Sequence, residues 1–178
     1  MTIKGRRELV LEKFAKDMNW TKGAELGVWK GRTFKHLLSN VPDLHLFGVD
    51  LYAPQPDSKG PEKWLPGENG HKWDHENYFT ELTKFCQETN GRGVILRMST
   101  THAADLIEDE SLDFIFIDAD HSFEGCDEDI RNWTPKVKSG GYIIGHDIDW
   151  EDVNRAIRKN FGNDFYEEAD NIWWHQKK

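Results

Sequence analysis

Apolar and polar positions change period repeatedly along the chain, and each change marks an element. Over residues 5–19, Leu9, Val10, Phe14 and Met18 recur at helical spacing, which predicts a leading amphipathic helix. GAELGVW is then a short apolar run ending near Gly27, and GRTFKHLLSN returns to helical spacing with Phe34, Leu37 and Leu38. LHLFGVD (44–50), GVILRM (93–98), LDFIFID (112–118) and GGYIIGHD (140–147) predict four further strands. Helical stripes follow near 76–89 (Tyr78, Phe79, Leu82, Phe85, Cys86), near 123–137 (Cys126, Ile130, Trp133, Val137) and near 150–161. The tail changes character: DFYEEAD and NIWWHQKK are strand-like segments joined by a turn, which predicts a hairpin closing one sheet edge.

Strands that read as nearly continuous apolar runs, alternating with amphipathic helices, require a mostly parallel sheet covered on both faces. The expected fold is therefore a doubly wound α/β domain, and 178 residues suit a single domain over 1–178. One connection breaks the rhythm. Residues 51–76 hold four of the six prolines together with Trp64 and Trp73, too long and too broken for an ordinary loop. This insertion is expected to be a lid over a site, a partly disordered loop, or an edge plugged by its tryptophans.

Composition narrows the function. The net charge of −9 opposes a general role in nucleic-acid binding, which depends on Lys and Arg neutralising phosphates. Apolar runs fall well short of the roughly 18 residues of a membrane span, and the N-terminus lacks the apolar core of a secretory signal. A cytoplasmic protein acting on a small molecule is expected, with homo-oligomerisation left open. Cys86 and Cys126 lack metal-ligand spacing and read as small buried hydrophobes in a reducing compartment.

The chemistry gathers where strands end. In an open parallel sheet, ligands bind outside the carboxyl ends of the strands, where strand order reverses. The five predicted strands deliver Glu25, Gly27 and the turn to Gly31; Asp50; Ser99 and Thr100; Asp118, Asp120 and His121; and His146 with Asp147. The run FIFIDADHSFEG, residues 114–125, is the sharpest case, because burying unpaired carboxylates costs several kcal/mol each unless they face a cleft, a cation or a ligand. Gly27 and Gly31 allow close approach of a ligand to the backbone, and an acid such as Asp50 can accept both hydroxyls of a ribose. Trp29 stands where a dinucleotide fingerprint places its middle glycine, which argues against a nicotinamide enzyme.

Taken together, AELGVWKGRTF, FGVDLY, FIFIDADHSFEG and GGYIIGHD resemble successive motifs of the class I S-adenosylmethionine-dependent methyltransferases. The similarity covers about residues 20–150. It is to the small-molecule O-methyltransferase group with Asp-x-Asp-His after the fourth strand and Gly-His-Asp after the fifth. The resemblance implies a Rossmann-like sheet of about seven strands whose C-terminal hairpin strand is antiparallel. It also implies a cofactor, S-adenosylmethionine, held by Glu25, Gly27, Gly31, Thr33, Asp50, Ser99 and Asp118. A divalent metal, Mg2+, Mn2+ or another, is implied at Asp118, His146 and Asp147, with Asp120 or His121 as general base. His146 departs from relatives that carry a carboxylate there, so it is either a third ligand favouring a softer metal than Mg2+ or a group steadying a carboxylate. Glu124, and by one reading Asp120, serve the start of the following helix. Two alternatives stay open: a metal-dependent hydrolase or oxygenase on the same fold, and a non-catalytic module that binds the cofactor.

Overall fold

The computed structural model describes residues 6–53 and 74–178. The body of the insertion expected over 51–76, including Trp64 and Trp73, lies outside the described residues.

One seven-stranded sheet organises the chain, in the order β3-β2-β1-β4-β5-β7-β6. Its strands are β1 (Lys22–Leu26), β2 (His45–Asp50), β3 (Gly93–Arg97), β4 (Leu112–Ile117), β5 (Val137–Gly145), β6 (Tyr166–Glu168) and β7 (Ile172–Gln176). The first five run parallel; β7 pairs antiparallel with β5, and β6 with β7. The expected fold class and closing hairpin are thus observed. Strand order reverses between β1 and β4, so the crevice expected to take a ligand opens at their carboxyl ends.

Two cores lie on opposite faces. On one, α1 (Arg7–Asp17), α2 (Arg32–Asn40) and α3 (His75–Gln87) bury Leu11, Phe34, Leu37, Leu38 and Leu82 against Phe114, Phe116 and Ile144. On the other, α4 (Thr100–Ala104), α5 (Phe123–Trp133) and α6 (Glu151–Phe161) bury Ala103, Ile130, Trp133, Ala156 and Ile157 against Ile115, Ile117 and Ile143. Side chains alternate across a strand, so Phe114–Ile117 of β4 and Tyr142–Ile144 of β5 feed both cores and are apolar at every position.

Several expectations shift in detail. The buried stripe of α1 is Glu8, Val10, Leu11 and Ala15, whereas Met18 is exposed. In α3 only Leu82 is fully buried, and Tyr78, Phe79, Phe85 and Cys86 pack at the margin of the core. The helix expected over 123–137 ends at Trp133, passes through a 3-10 turn at Thr134–Lys136 where proline follows the last turn, and Val137 already opens β5. Both cysteines are free thiols, and burial pushes Cys126 up to about 12. Among the described residues no helix is long and apolar enough to cross a membrane.

Candidate functional site

The sheet ladder itself lines up the strand ends. Gly27 N–H donates to Val49 O (2.9 Å), Asp118 N–H to Leu26 O (2.9 Å) and His146 N–H to Ile117 O (3.1 Å). Asp50, Gly27, Asp118 and His146 are thereby set side by side across four adjacent strands.

Gly27 has φ +85°, and an added Cβ would collide with the carbonyl oxygen of Asp118. Only glycine combines that backbone with so close a neighbour. Gly31, at φ +71°, caps α2, and the buried Thr33 lies in the first turn behind it. Asp50 is held from both sides: its Oδ2 accepts from Trp29 N–H (2.8 Å) and its Oδ1 from Tyr52 N–H (2.7 Å). Each carboxylate oxygen keeps a further lone pair for a ligand. Trp29 and Tyr52 both carry positive φ, 48° and 47°, so two strained residues serve to aim their amides at one carboxylate.

Glu25 is 2% exposed at the end of β1, and its Oε2 has no hydrogen-bond partner. Burial, reinforced by Asp118, raises its pKa well above the carboxylate range, partly offset by Arg7. An unpartnered carboxyl oxygen in a buried turn is a costly arrangement that a bound polar group would relieve.

Next to it, Asp118, His121 and Asp147 offer ligand atoms within 4.8 Å of one another, the grouping among the described residues able to hold a metal ion; it takes His121 where the sequence pointed to His146. His121 Nε2 lies 2.7 Å from Asp147 Oδ2 and 3.6 Å from Asp118 Oδ1. His146 Nδ1 lies 3.0 Å from Asp147 Oδ1 and 3.8 Å from Asp118 Oδ1. Yet His121 Nε2 and both ring nitrogens of His146 are buried without a hydrogen-bond partner. Both rings nevertheless lie within ion-pair distance of Asp147, so the two histidines and two carboxylates form one charge cluster. Burial alone would lower the His121 pKa, but Asp118 and Asp147 outweigh it and raise the ring to about 9. Asp147, at φ 57°, is held well below the usual carboxylate range because His121 and His146 outweigh its desolvation.

The remaining residues singled out in the sequence fall elsewhere. Asp120 is exposed, and its Oδ1 accepts from Ser122 N–H (2.8 Å), so it braces the start of α5. Glu124 is exposed in the first turn of α5, as its helix-start reading anticipates. Ser99 caps α4, its Oγ 2.8 Å from His102 Nδ1. Cluster neighbours that sequence reasoning missed are Arg7, whose guanidinium pairs with Asp118, and Trp150, whose ring centroid lies 4.9 Å from that of His121. No motif signals Arg7. Trp150 had a faint signal: an aromatic three residues after Asp147, at a loop-to-helix junction.

Comparison with known proteins adds a family and a set of folds. Residues 24–148 match the model of a family described as a methyltransferase domain. Among curated proteins, a 55-residue stretch is 34% identical to the uncharacterized protein y4gI of Sinorhizobium fredii (strain NBRC 101917 / NGR234), covering 31% of this chain and only 6% of that protein. Solved structures share the fold at low identity. A Staphylococcus aureus protein proposed to be a caffeoyl-CoA O-methyltransferase aligns with TM-score 0.68 and 15% identity over 99% of this chain and 85% of its own. CalS11, a calicheamicin methyltransferase, aligns with TM-score 0.67 and 17% identity over 96% of this chain and 77% of its own. Rv0187 from MTB, solved with its cofactor bound, aligns with TM-score 0.66 and 13% identity over 98% of this chain and 80% of its own.

Proposed function

This chain belongs to the methyltransferase-domain family, matched over residues 24–148, and from that premise we propose that it transfers the methyl group of S-adenosylmethionine to a hydroxyl of a small molecule, a sugar or a phenol, assisted by a divalent cation. Residues 1–178 are taken as one such unit. Oxygen as the acceptor atom is supported by the likeness to the S. aureus protein and to CalS11, itself a TDP-rhamnose 3'-O-methyltransferase. The cofactor-bound state of Rv0187 supports a cofactor in the corresponding crevice.

The residues present fit both groups. Asp50, pre-aimed by two amides, suits a pair of ribose hydroxyls, and the orphan oxygen of Glu25 suits a positively charged end such as the methionine ammonium. The observation that carries the cation is the convergence of ligand atoms from Asp118, His121 and Asp147 within 4.8 Å of one another. An Asp, Asp, His donor set favours Mn2+, Fe2+ or Zn2+ over Mg2+. S-adenosylmethionine supplies an electrophilic methyl on a sulfonium, and a divalent cation supplies a Lewis acid that lowers the pKa of a bound hydroxyl.

Exposure divides the labour between the two histidines. His146, with its side chain 13% exposed and Nδ1 3.0 Å from Asp147 Oδ1, is assigned as the third donor, although the ligand atoms that converge most closely are those of Asp118, His121 and Asp147. His121, at 31% and packed against the half-exposed Trp150, takes the hydroxyl proton on the acceptor's side. It becomes a base once the carboxylates that raise it to about 9 are neutralised, since a proton acceptor works best near the operating pH. Hydrolysis, oxygenation and simple cofactor sensing are disfavoured by the methyltransferase-domain match over residues 24–148.

Calorimetric titration of S-adenosylmethionine and Mn2+, paired with turnover assays, tests the reading on wild type, His121→Asn and His146→Gln. Wild type is expected to bind both. His121→Asn should keep both affinities while turnover falls about 10²–10⁴-fold, and His146→Gln should weaken Mn2+ at least about tenfold. Absence of S-adenosylmethionine binding to wild type would end the methyl-transfer reading. Loss of Mn2+ affinity in His121→Asn alone would exchange the two histidine roles.

A further inference from the structure

The Asp118 carboxylate already has a cation. Arg7, at the first position of α1, places Nη1 against Asp118 Oδ2, while Asp118 Oδ1 is the oxygen that faces the rings of His121 and His146. One carboxylate thus spans an arginine on one side and the proposed metal position on the other. Both side chains are largely enclosed, Arg7 at 28% and Asp118 at 15% exposure, so screening by water is weak between them. The Arg7 charge is also felt at the buried Glu25.

We propose that Arg7 is a tethered cation that holds the place of a divalent metal at Asp118, so that metal enters by displacing the arginine side chain. This rests on the reading of Asp118 and Asp147 as metal ligands. A guanidinium and a divalent ion sharing one half-enclosed carboxylate would repel each other, and like charges at that distance disfavour joint occupancy. An arginine stays charged at every accessible pH, so it cannot yield by losing a proton; it has to move.

The scaffold permits that movement without undocking α1. The backbone N–H of Arg7 donates to Asp170 Oδ2 (2.6 Å) in the turn between β6 and β7. Its neighbour Glu8 is gripped by Arg32 Nη2 (2.7 Å) and Arg32 Nε (3.0 Å) from α2 and by Arg6 Nε (2.7 Å). Val10 and Leu11 remain in the core. The helix is pinned by everything except the Arg7 side chain, so release of the arginine costs one ion pair and leaves the fold closed.

The test is Mn2+ binding followed by electron paramagnetic resonance on wild type, Arg7→Gln and Arg32→Gln. Arg32→Gln loosens the α1 anchor without removing the competing charge. Arg7→Gln should bind Mn2+ about tenfold more tightly than wild type or better, and Arg32→Gln should match wild type. Equal or weaker affinity in Arg7→Gln overturns the proposal while leaving the metal centre standing. Absence of Mn2+ binding in all three overturns both. A second readout needs no variant: the Arg7 Nε–H resonance of the wild-type protein should shift on titration with Mg2+ or Zn2+, and an unmoved resonance at saturating metal would show that the arginine is not displaced.

Discussion

Single residues carry the arguments here because each sits where its neighbours leave it little choice. Asp129 in α5 is the clearest outside the crevice: it is 3% exposed, and burial raises its pKa from 3.8 to about 7, against a lowering bond from Thr100. Its acid form is therefore favoured by folding. Between about pH 4 and pH 7 the native chain holds a proton that the unfolded chain has lost, so stability falls as pH rises through that window, by up to about 1.4 kcal/mol per unit, and levels off above it. Asp129→Asn should remove this loss, so its stability relative to wild type should grow from about pH 4 to pH 7 in urea unfolding; a difference constant with pH would contradict the assignment. Nothing in the sequence marks Asp129, because a lone acid on a helix looks the same whether it faces water or the interior. Asp118, Asp147 and Asp50 were legible for the opposite reason. Each lies at or within two residues of the end of an apolar strand, where the chain opens into the crevice.

At the scale of elements, the strand-to-helix turn after β1 is the most demanding joint. Gly27→Ala would combine positive φ with a collision against the Asp118 backbone, and neither can relax without moving β4. A cost of at least about 2 kcal/mol is expected in denaturant unfolding, together with loss of S-adenosylmethionine binding by calorimetry. Strands β1 to β5 and the closing hairpin were readable because their apolar runs are short and sharply bounded. Helix faces were less so. The stripe of α1 turned to include Glu8, whose burial is sustained by Arg6 and Arg32, a compensation invisible to hydropathy. The length of α5 was overread for a similar reason, since Val137 continues the apolar spacing while Pro135 ends the helix.

Across the whole molecule, the sheet is completed by segments far apart in the chain. Trp173 of β7 is fully buried, packs 6.2 Å from Phe161 between ring centroids, and fills the space that Gly145 leaves by having no side chain. Trp173→Ala should cost about 3–5 kcal/mol in urea unfolding, more than a surface tryptophan such as Trp150 would. Arg7 escaped the sequence reading on this same scale: 111 positions separate it from Asp118, and no local pattern spans such a gap. The central place of β1 has a kinetic consequence as well. It is made early, yet Gly23 pairs with Phe114 and Leu26 with Ile117, so one flank of the strand stays open until β4 has been synthesised. Contacts of such high sequence separation slow folding, and through that interval the nascent chain displays Ala24 and Leu26 on an unpaired edge. Its vulnerable moment in the cell is thus during translation, when a chaperone holding the amino-terminal third would do most to raise the yield.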